Sequence, residues 1–363
     1  MDTFNTEKIL NDTNLFWQYP VRTEQEFYEQ NKKNPNYCGI PWATIIDKQI
    51  NHIQLARSII PYLKHKNYYT CCQHIKFREI IKLFKLLGIK TIYSPHKIKD
   101  EDYIENIRIL PCPLFAVNIE DVSRNNYFKD KDYLNYERDL LYSFMGGMQA
   151  DAKYLSNIRN KIFSIIHPSN TIIKNTNKWH FNSIVYSNLQ NNKGELNIDD
   201  KHNKDTEEYN KLLLRSRYSL CPSGTGPNSI RFWESLAIGS IPILLSDKLE
   251  LPYGFDWCNS IVIIKENEFN TDNILNILNN ISSEKENEMR NNCINIYNKL
   301  RNNYIGCKQN IIHYCCGSYN IGDFGGVARY DYQLALIFPH RIFIKGPEQK
   351  DLLIKYCKYL ENV

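Results

Sequence analysis

Ser219 to Asp247 reads SLCPSGTGPNSIRFWESLAIGSIPILLSD. Two loop glycines and a proline stand between an apolar run and a short amphipathic segment, which Gly239 closes before a second apolar run. This order predicts a strand over Tyr218–Cys221, a helix over Ser229–Ile238 and a strand over Ile241–Leu245. In a parallel sheet, a loop that leaves a strand's C-terminal end and opens a helix is where ligands bind. The helix N-terminus there offers free N–H groups and about half a positive charge. Gly224 and Gly226 let a ligand approach the backbone, and Pro227 sits where its missing N–H costs nothing. An anion is expected at this turn.

Two familiar phosphate loops do not fit. A P-loop requires a lysine before the Ser/Thr, and GTGPNS carries Pro227 and Asn228 there. The dinucleotide pattern GxGxxG fails because Ser229 stands three residues after Gly226. On the helix, Ile230, Trp233 and Ala237 share one face, leaving Arg231 and Glu234 as an i,i+3 pair one turn in. Glu234 is then placed to accept hydrogen bonds from a ribose diol, the bland alternative being a surface salt bridge.

The same strand, loop, helix and strand order recurs upstream. NYYTCCQH predicts a strand, FREIIKLFKLLG a helix with Phe77, Ile80, Ile81, Phe84 and Leu87 on one face stopped by Gly88, and IKTIYSPH a second strand. RDLLYSFMGGMQADAKYLSNIRNKIFSIIHPS predicts a strand over Leu140–Met145, a turn at Gly146 and Gly147, and a helix burying Leu155, Ile158, Ile162 and Ile165. Such units place parallel strands in one sheet with helices on both faces. The expected architecture is α/β, two Rossmann-like domains.

A chain of 363 residues fits two domains of ~150 residues each. The boundary is expected within 118–138, and residues 187–210, rich in Asn, Asp and Lys, are expected as a mobile polar insertion. After residue 310 a last βαβα pattern appears, with its own glycines Gly322, Gly325 and Gly326. It is too short for an independent core, so it either packs back on the preceding domains or begins a further one.

Composition excludes several classes. Hydrophobic content of 42% with 23% charged residues describes a soluble globular protein. The net charge of +5 comes without any basic block, so nucleic acid is not an expected partner. The first twenty residues lack a signal-length apolar core and no later run could span a bilayer, so a cytoplasmic protein without a transmembrane segment is expected. The 11 cysteines are odd in number, include the adjacent pairs Cys71–Cys72 and Cys315–Cys316, and show no CxxC, which favours buried reduced thiols. A hydrolase built on Cys221 is a distant reading, since Pro222 follows it with no histidine nearby.

LCPSGTGPNSIRFWESLAIGSIPILLSD followed by LPYGFDW resembles the signature of the exostosin family of glycosyltransferases, nucleotide-sugar enzymes of the GT-B type. GIPWATIID at 39–47, CCQH at 71–74 and RDLLYSFMGG with IRNKI agree, and the resemblance covers most of residues 37–300. It implies parallel sheets facing a central cleft, with an acceptor-side domain over 1–135 and a donor domain over 136–310. Ser223, Gly224, Thr225, Gly226, Asn228, Ser229 and Arg231 would then face the diphosphate of a UDP-sugar, and Glu234 the ribose. Arg138 or Gly146 would complete the pocket. The implied reaction is sugar transfer to a glycan hydroxyl with inversion, the sugar type being unresolved. A non-catalytic nucleotide-sugar or glycan-binding module on the same fold is the alternative. His74 at a strand end is the first candidate for the base and Asp47 the second. Asp247 and Asp256 are expected to cap or orient loops. No Asp-x-Asp lies at a strand end, IDDKH falling in the polar insertion, so neither a metal nor another cofactor is expected.

Overall fold

The computed structural model describes residues 4–65, 67–148, 153–181 and 200–305, with short strands at 313–315 and 333–335. The chain divides into two compact units, Met1–Gly306 and Cys307–Val363.

The N-terminal half of the first unit opens with α1 Thr6–Thr13, α2 Thr23–Asn31, α3 Trp42–Asp47 and α4 His52–Ile59. Its sheet comprises β1 Tyr68–Cys71, β2 Ile89–Ser94, β3 Tyr103–Ile104 and β4 Ile107–Pro111, in the order β1-β2-β4-β3. The first three neighbours run parallel and only the two-residue β3 runs antiparallel at the edge. A 3-10 turn at Phe77–Ile80 and α5 Ile81–Leu86 make the crossover between β1 and β2. All five apolar residues expected on its inner face are buried. Gly88, at φ 73°, ends it in the left-handed conformation glycine adopts without strain.

After α6 Val117–Glu120, the second half contains β5 Leu140–Gly146, α7 Ile158–Ser164, β6 Thr171–Asn175, α8 Asp200–Arg215 and β7 Ser216–Pro222. It continues through α9 Ile230–Ile238, β8 Ile241–Leu245, β9 Val262–Ile263, α10 Thr271–Asn279 and α11 Ser283–Asn302. Its five strands are all parallel, in the order β6-β5-β7-β8-β9. The chain steps outward from β5 to β6 and then resumes on β5's other side at β7, so the topological switch point lies between β5 and β7.

The expected α/β architecture is thus observed, and the strand, loop, helix and strand over 216–245 form as the sequence indicates. Helix α7 is shorter than expected: Ile158 and Ile162 are buried, whereas Leu155 precedes it and Ile165 follows it. The second hydrophobic core already includes Leu114 and Ala116, ahead of residue 118. The polar insertion needs correction. Residues 187–199 lie outside the described residues, but 200–210 belong to α8, a regular helix with His202, Thr206 and Asn210 buried. Those side chains gather on Arg124: its guanidinium contacts His202 and Thr206 at 2.8 Å, and its carbonyl accepts from Asn210 at 3.0 Å.

The C-terminal strand ends of the two halves meet across a seam. Lys99 N–H donates to the Lys248 carbonyl at 2.9 Å and Glu250 N–H to the Lys97 carbonyl at 3.2 Å. In the second unit, β10 His313–Cys315 and β11 Gln333–Ala335 pair antiparallel, so these strands do not form the parallel βαβ unit expected there. Gly322, Gly325 and Gly326 lie outside the described residues. Among the described residues, no helix is long and apolar enough to cross a membrane.

Candidate active site

The glycine loop is held by its own backbone and by its neighbours. Gly224 N–H donates to the Gly226 carbonyl at 2.9 Å and closes the turn. Asn228 is a buried clamp: its Oδ1 accepts from Ser229 N–H at 2.8 Å and Trp233 Nε1 at 3.0 Å, while Nδ2 donates across the seam to the Pro95 carbonyl at 2.7 Å. Ser246 Oγ holds the Pro227 carbonyl at 2.7 Å. At the start of α9, Ser229 makes no side-chain capping bond, which leaves the Ile230 and Arg231 amides to an outside acceptor. Thr225 is exposed at the loop's tip.

Two guanidiniums stand at the switch point. Arg159, from α7, donates Nε to the Ser223 carbonyl at 3.0 Å and Nη1 to the Gly147 carbonyl at 2.6 Å, joining the loops after β7 and β5. A Cβ on Gly224 would come 3.1 Å from Arg159 Nη2. Burial pulls this guanidinium down to about 10, which leaves it charged at neutral pH. Arg231, only 8% exposed, donates to the Met145 carbonyl at the end of β5 and lies 4.8 Å over the rings of Phe144 and Tyr209. A Cβ on Gly146 would meet Phe144 Cζ at 2.9 Å and Arg231 Nη2 at 3.6 Å, so this glycine lets the strand end close over the cation. One carboxylate joins the group: Glu266 Oε1 accepts from Ser223 Oγ at 3.1 Å.

The structure therefore brings Ser223, Gly224, Gly226, Asn228, Ser229, Arg231 and Gly146 together. Arg138 is a correction. It precedes β5, at the far end of the sheet from the glycine loop. Its guanidinium donates to the carbonyls of Leu214, Ser216, Tyr133 and Ile238 at 2.6 to 3.2 Å. Two of these belong to the ends of α8 and α9, where a cation compensates the helix dipoles. Burial and the neighbouring Arg290 pull Arg138 down to about 9.

Glu234 is corrected as well. It is 2% exposed, with Oε1 accepting from Asn118 N–H at 2.8 Å and Oε2 from Tyr209 O–H at 2.6 Å. Neither a free cleft carboxylate nor a surface ion pair describes it, and burial raises its pKa. It fastens α9 to α6 and α8.

On the N-terminal half, the two base candidates contact each other. His74 Nδ1 accepts from Lys76 N–H at 3.0 Å, so Nε2 carries the neutral ring's proton and donates it to Asp47 Oδ1 at 3.0 Å. Both ring nitrogens are thus engaged within the chain. The other oxygen of Asp47 accepts from Gln18 Nε2. As for Cys221, burial pushes its thiol up to about 12, leaving essentially no thiolate at neutral pH. Asp247 accepts from Glu266 N–H at 3.1 Å and Asp256 from Asn259 N–H at 3.2 Å, both in loops.

Sequence reading missed Arg159 and His96. Arg159 stands in IRNKI, in the crossover that follows the Gly146–Gly147 turn, and His96 follows a strand as His74 does. Position after a strand of the sheet was the available signal for both.

The family model for the Exostosin GT47 domain matches residues 80–281, more than half of the chain. An Exostosin-1 homolog from Caenorhabditis elegans is 26% identical over 197 residues, 51% of this chain and 47% of that protein. Exostosin-1 from Drosophila melanogaster is 31% identical over 147 residues, 40% of this chain and 18% of that protein. The chain thus spans about half the length of the first relative and less of the second. A crystal structure of Acinetobacter baumannii MurG aligns with 67% of this chain and 74% of its own, at 11% identity and a TM-score of 0.30. With the family match running from the first crossover through the glycine loop to α10, the chain belongs to the exostosin GT47 family of glycosyltransferases.

Proposed function

We propose that the chain transfers a sugar from a UDP-sugar to a glycan hydroxyl, inverting the anomeric carbon. The observation that carries this reading is Arg159 joining the two loops at the switch point, beside the uncapped N-terminus of α9. The diphosphate rests on the amides of Thr225, Gly226 and Asn228 and on the first turn of α9, with Arg159 at its side. The acceptor hydroxyl attacks the anomeric carbon from the N-terminal half and gives its proton to Asp47, which His74 orients through Nε2–H. The bond between that carbon and the phosphate oxygen breaks, and its electron pair leaves with UDP. Charge then grows on the phosphate where the helix N-terminus and guanidinium are already aimed.

Transfer without a metal ion is part of this reading. Incubation with a panel of UDP-sugars tests the reading: UDP should be released, slowly without acceptor, in the presence of EDTA, and NMR of the product should show inverted configuration. Binding without release would favour the non-catalytic module. Retained configuration would overturn the inverting step, and activity lost to EDTA but restored by Mn²⁺ would overturn metal independence.

A further inference from the structure

His96 lies just past the end of β2, on the opposite side of the seam from the glycine loop. It is 5% exposed, and its Nδ1 is buried without a hydrogen-bond partner among the described residues. Leaving a buried polar nitrogen unpaired is costly, and such atoms call for an explanation. The Gln73 backbone beside the ring favours its protonated form, which burial opposes. That nitrogen lies against the loop: a Cβ on Gly226 would come 3.0 Å from Nδ1, and 3.1 and 3.2 Å from two carbons of Ile75.

The charges around the ring leave it short of an anion. Arg78 donates to the His96 carbonyl at 3.1 Å and is itself paired with Glu101. Lys97 pairs with Asp102 at 3.1 Å, and His74 is engaged by Lys76 and Asp47. Glu250, beyond β8, bonds through its amide to the Lys97 carbonyl, and burial raises its carboxyl pKa. The facing wall, Ser223–Ser229, contains no titratable side chain. Burial first, then His74 and Arg78, hold the imidazole down at about 3, so it is neutral near pH 7.

We propose that His96 is the N-terminal half's own contact to the donor diphosphate: an anion on the glycine loop gives Nδ1 a partner, and the imidazole takes up a proton from solvent and donates it to a phosphate oxygen. The inference rests on the donor-loop reading above. It makes closure of the seam depend on the charge of the ligand, because only an anion compensates the proton that His96 acquires.

Calorimetric titration of UDP in buffers of different ionisation enthalpy, near pH 7, tests it. UDP entering a cationic site can only shed protons, so net proton uptake by the wild type must come from the protein. Net uptake is expected in the wild type and should vanish in His96→Asn and His96→Gln. The wild-type affinity should fall by up to about tenfold per pH unit where the bound ring titrates, and the variants should lose that slope. Binding with net proton release by the wild type, or with the same exchange in wild type and variants, overturns the role of His96 while leaving the donor loop standing. Failure of UDP to bind the wild type at all overturns the donor-loop reading and this inference together.

Discussion

Arg159 Nε donates to the Ser223 carbonyl at 3.0 Å, tying a helix of the β5–β6 crossover to the loop that follows β7. This bond spans the switch point of the sheet and places a fixed positive charge beside the glycine loop. Arg159→Ala should weaken UDP binding roughly 10- to 150-fold, the equivalent of one charge-assisted hydrogen bond. Arg159→Lys should recover only part of it, because an ammonium cannot hold both carbonyls in a fork. Isothermal titration of the two variants checks this, and unchanged affinity in the alanine form would remove Arg159 from the site.

Arg138 should behave in the opposite way. Arg138→Met removes donors from four backbone carbonyls, so unfolding free energy should fall by about 2 to 4 kcal/mol. UDP affinity should stay within about twofold, since the side chain lies at the other end of the strands. Denaturant melts and UDP titrations on one preparation separate the two effects.

The glycines divide by what surrounds them. At Gly147 a Cβ would lie 2.5 Å from the carbonyl carbon and oxygen of Lys178, main-chain atoms that a side-chain rotation cannot relieve. Gly147→Ala should therefore cost about 2 kcal/mol or more of stability. At Gly224 the nearest atom is the end of Arg159, so Gly224→Ala should cost under about 1 kcal/mol of stability yet displace the guanidinium and weaken UDP about tenfold.

Glu234→Ala tests its reassignment. It leaves the Asn118 amide and Tyr209 hydroxyl without their carboxylate, so stability should drop by about 2 to 4 kcal/mol. The ratio of affinities for UDP and its deoxyribose counterpart should not change. A lost ratio at unchanged stability would return Glu234 to the ribose.

Glu24 predicts a pH dependence. It is 2% exposed and accepts from the Ala43 amide at 3.1 and 3.2 Å and the Gln73 amide at 2.9 Å, and burial pushes its carboxyl up to about 8 from 4.5. Its folded pKa is raised, so its contribution to stability is present below about 4.5 and is lost as the pH rises towards 8. Glu24→Gln, with its oxygen at the Oε1 position, keeps an acceptor for both amides and cannot ionise. The difference in melting temperature between variant and wild type should grow in the variant's favour from pH 5 to 8. A constant difference would contradict the buried titration.

By itself, the sequence determined the elements that local chemistry controls. The strand over 218–221, the glycines of the turn, the periodicity of 229–238 and Gly239, which ends α9 at φ 68°, are readable within one or two turns of chain. Together they placed a glycine turn at the end of a parallel strand. Tertiary structure alone decided where the long polar side chains end. Glu234 meets an amide 116 residues away, Arg138 a carbonyl 100 residues away, and Arg159 a carbonyl 64 residues away. Nothing in the spacing of Arg231 and Glu234 reveals that α6 and α8 will cover that face and bury the carboxylate. The polar run before β7 looked unable to bury anything because its partners, Arg124 above all, come from elsewhere in the chain. His74 and His96 follow neighbouring strands in similar settings, and only packing distinguishes them: one has both nitrogens engaged, and the other keeps a bare nitrogen against Gly226. Backbone conformation follows from nearby residues, whereas the protonation and reach of a side chain follow from whichever distant groups the fold brings to it.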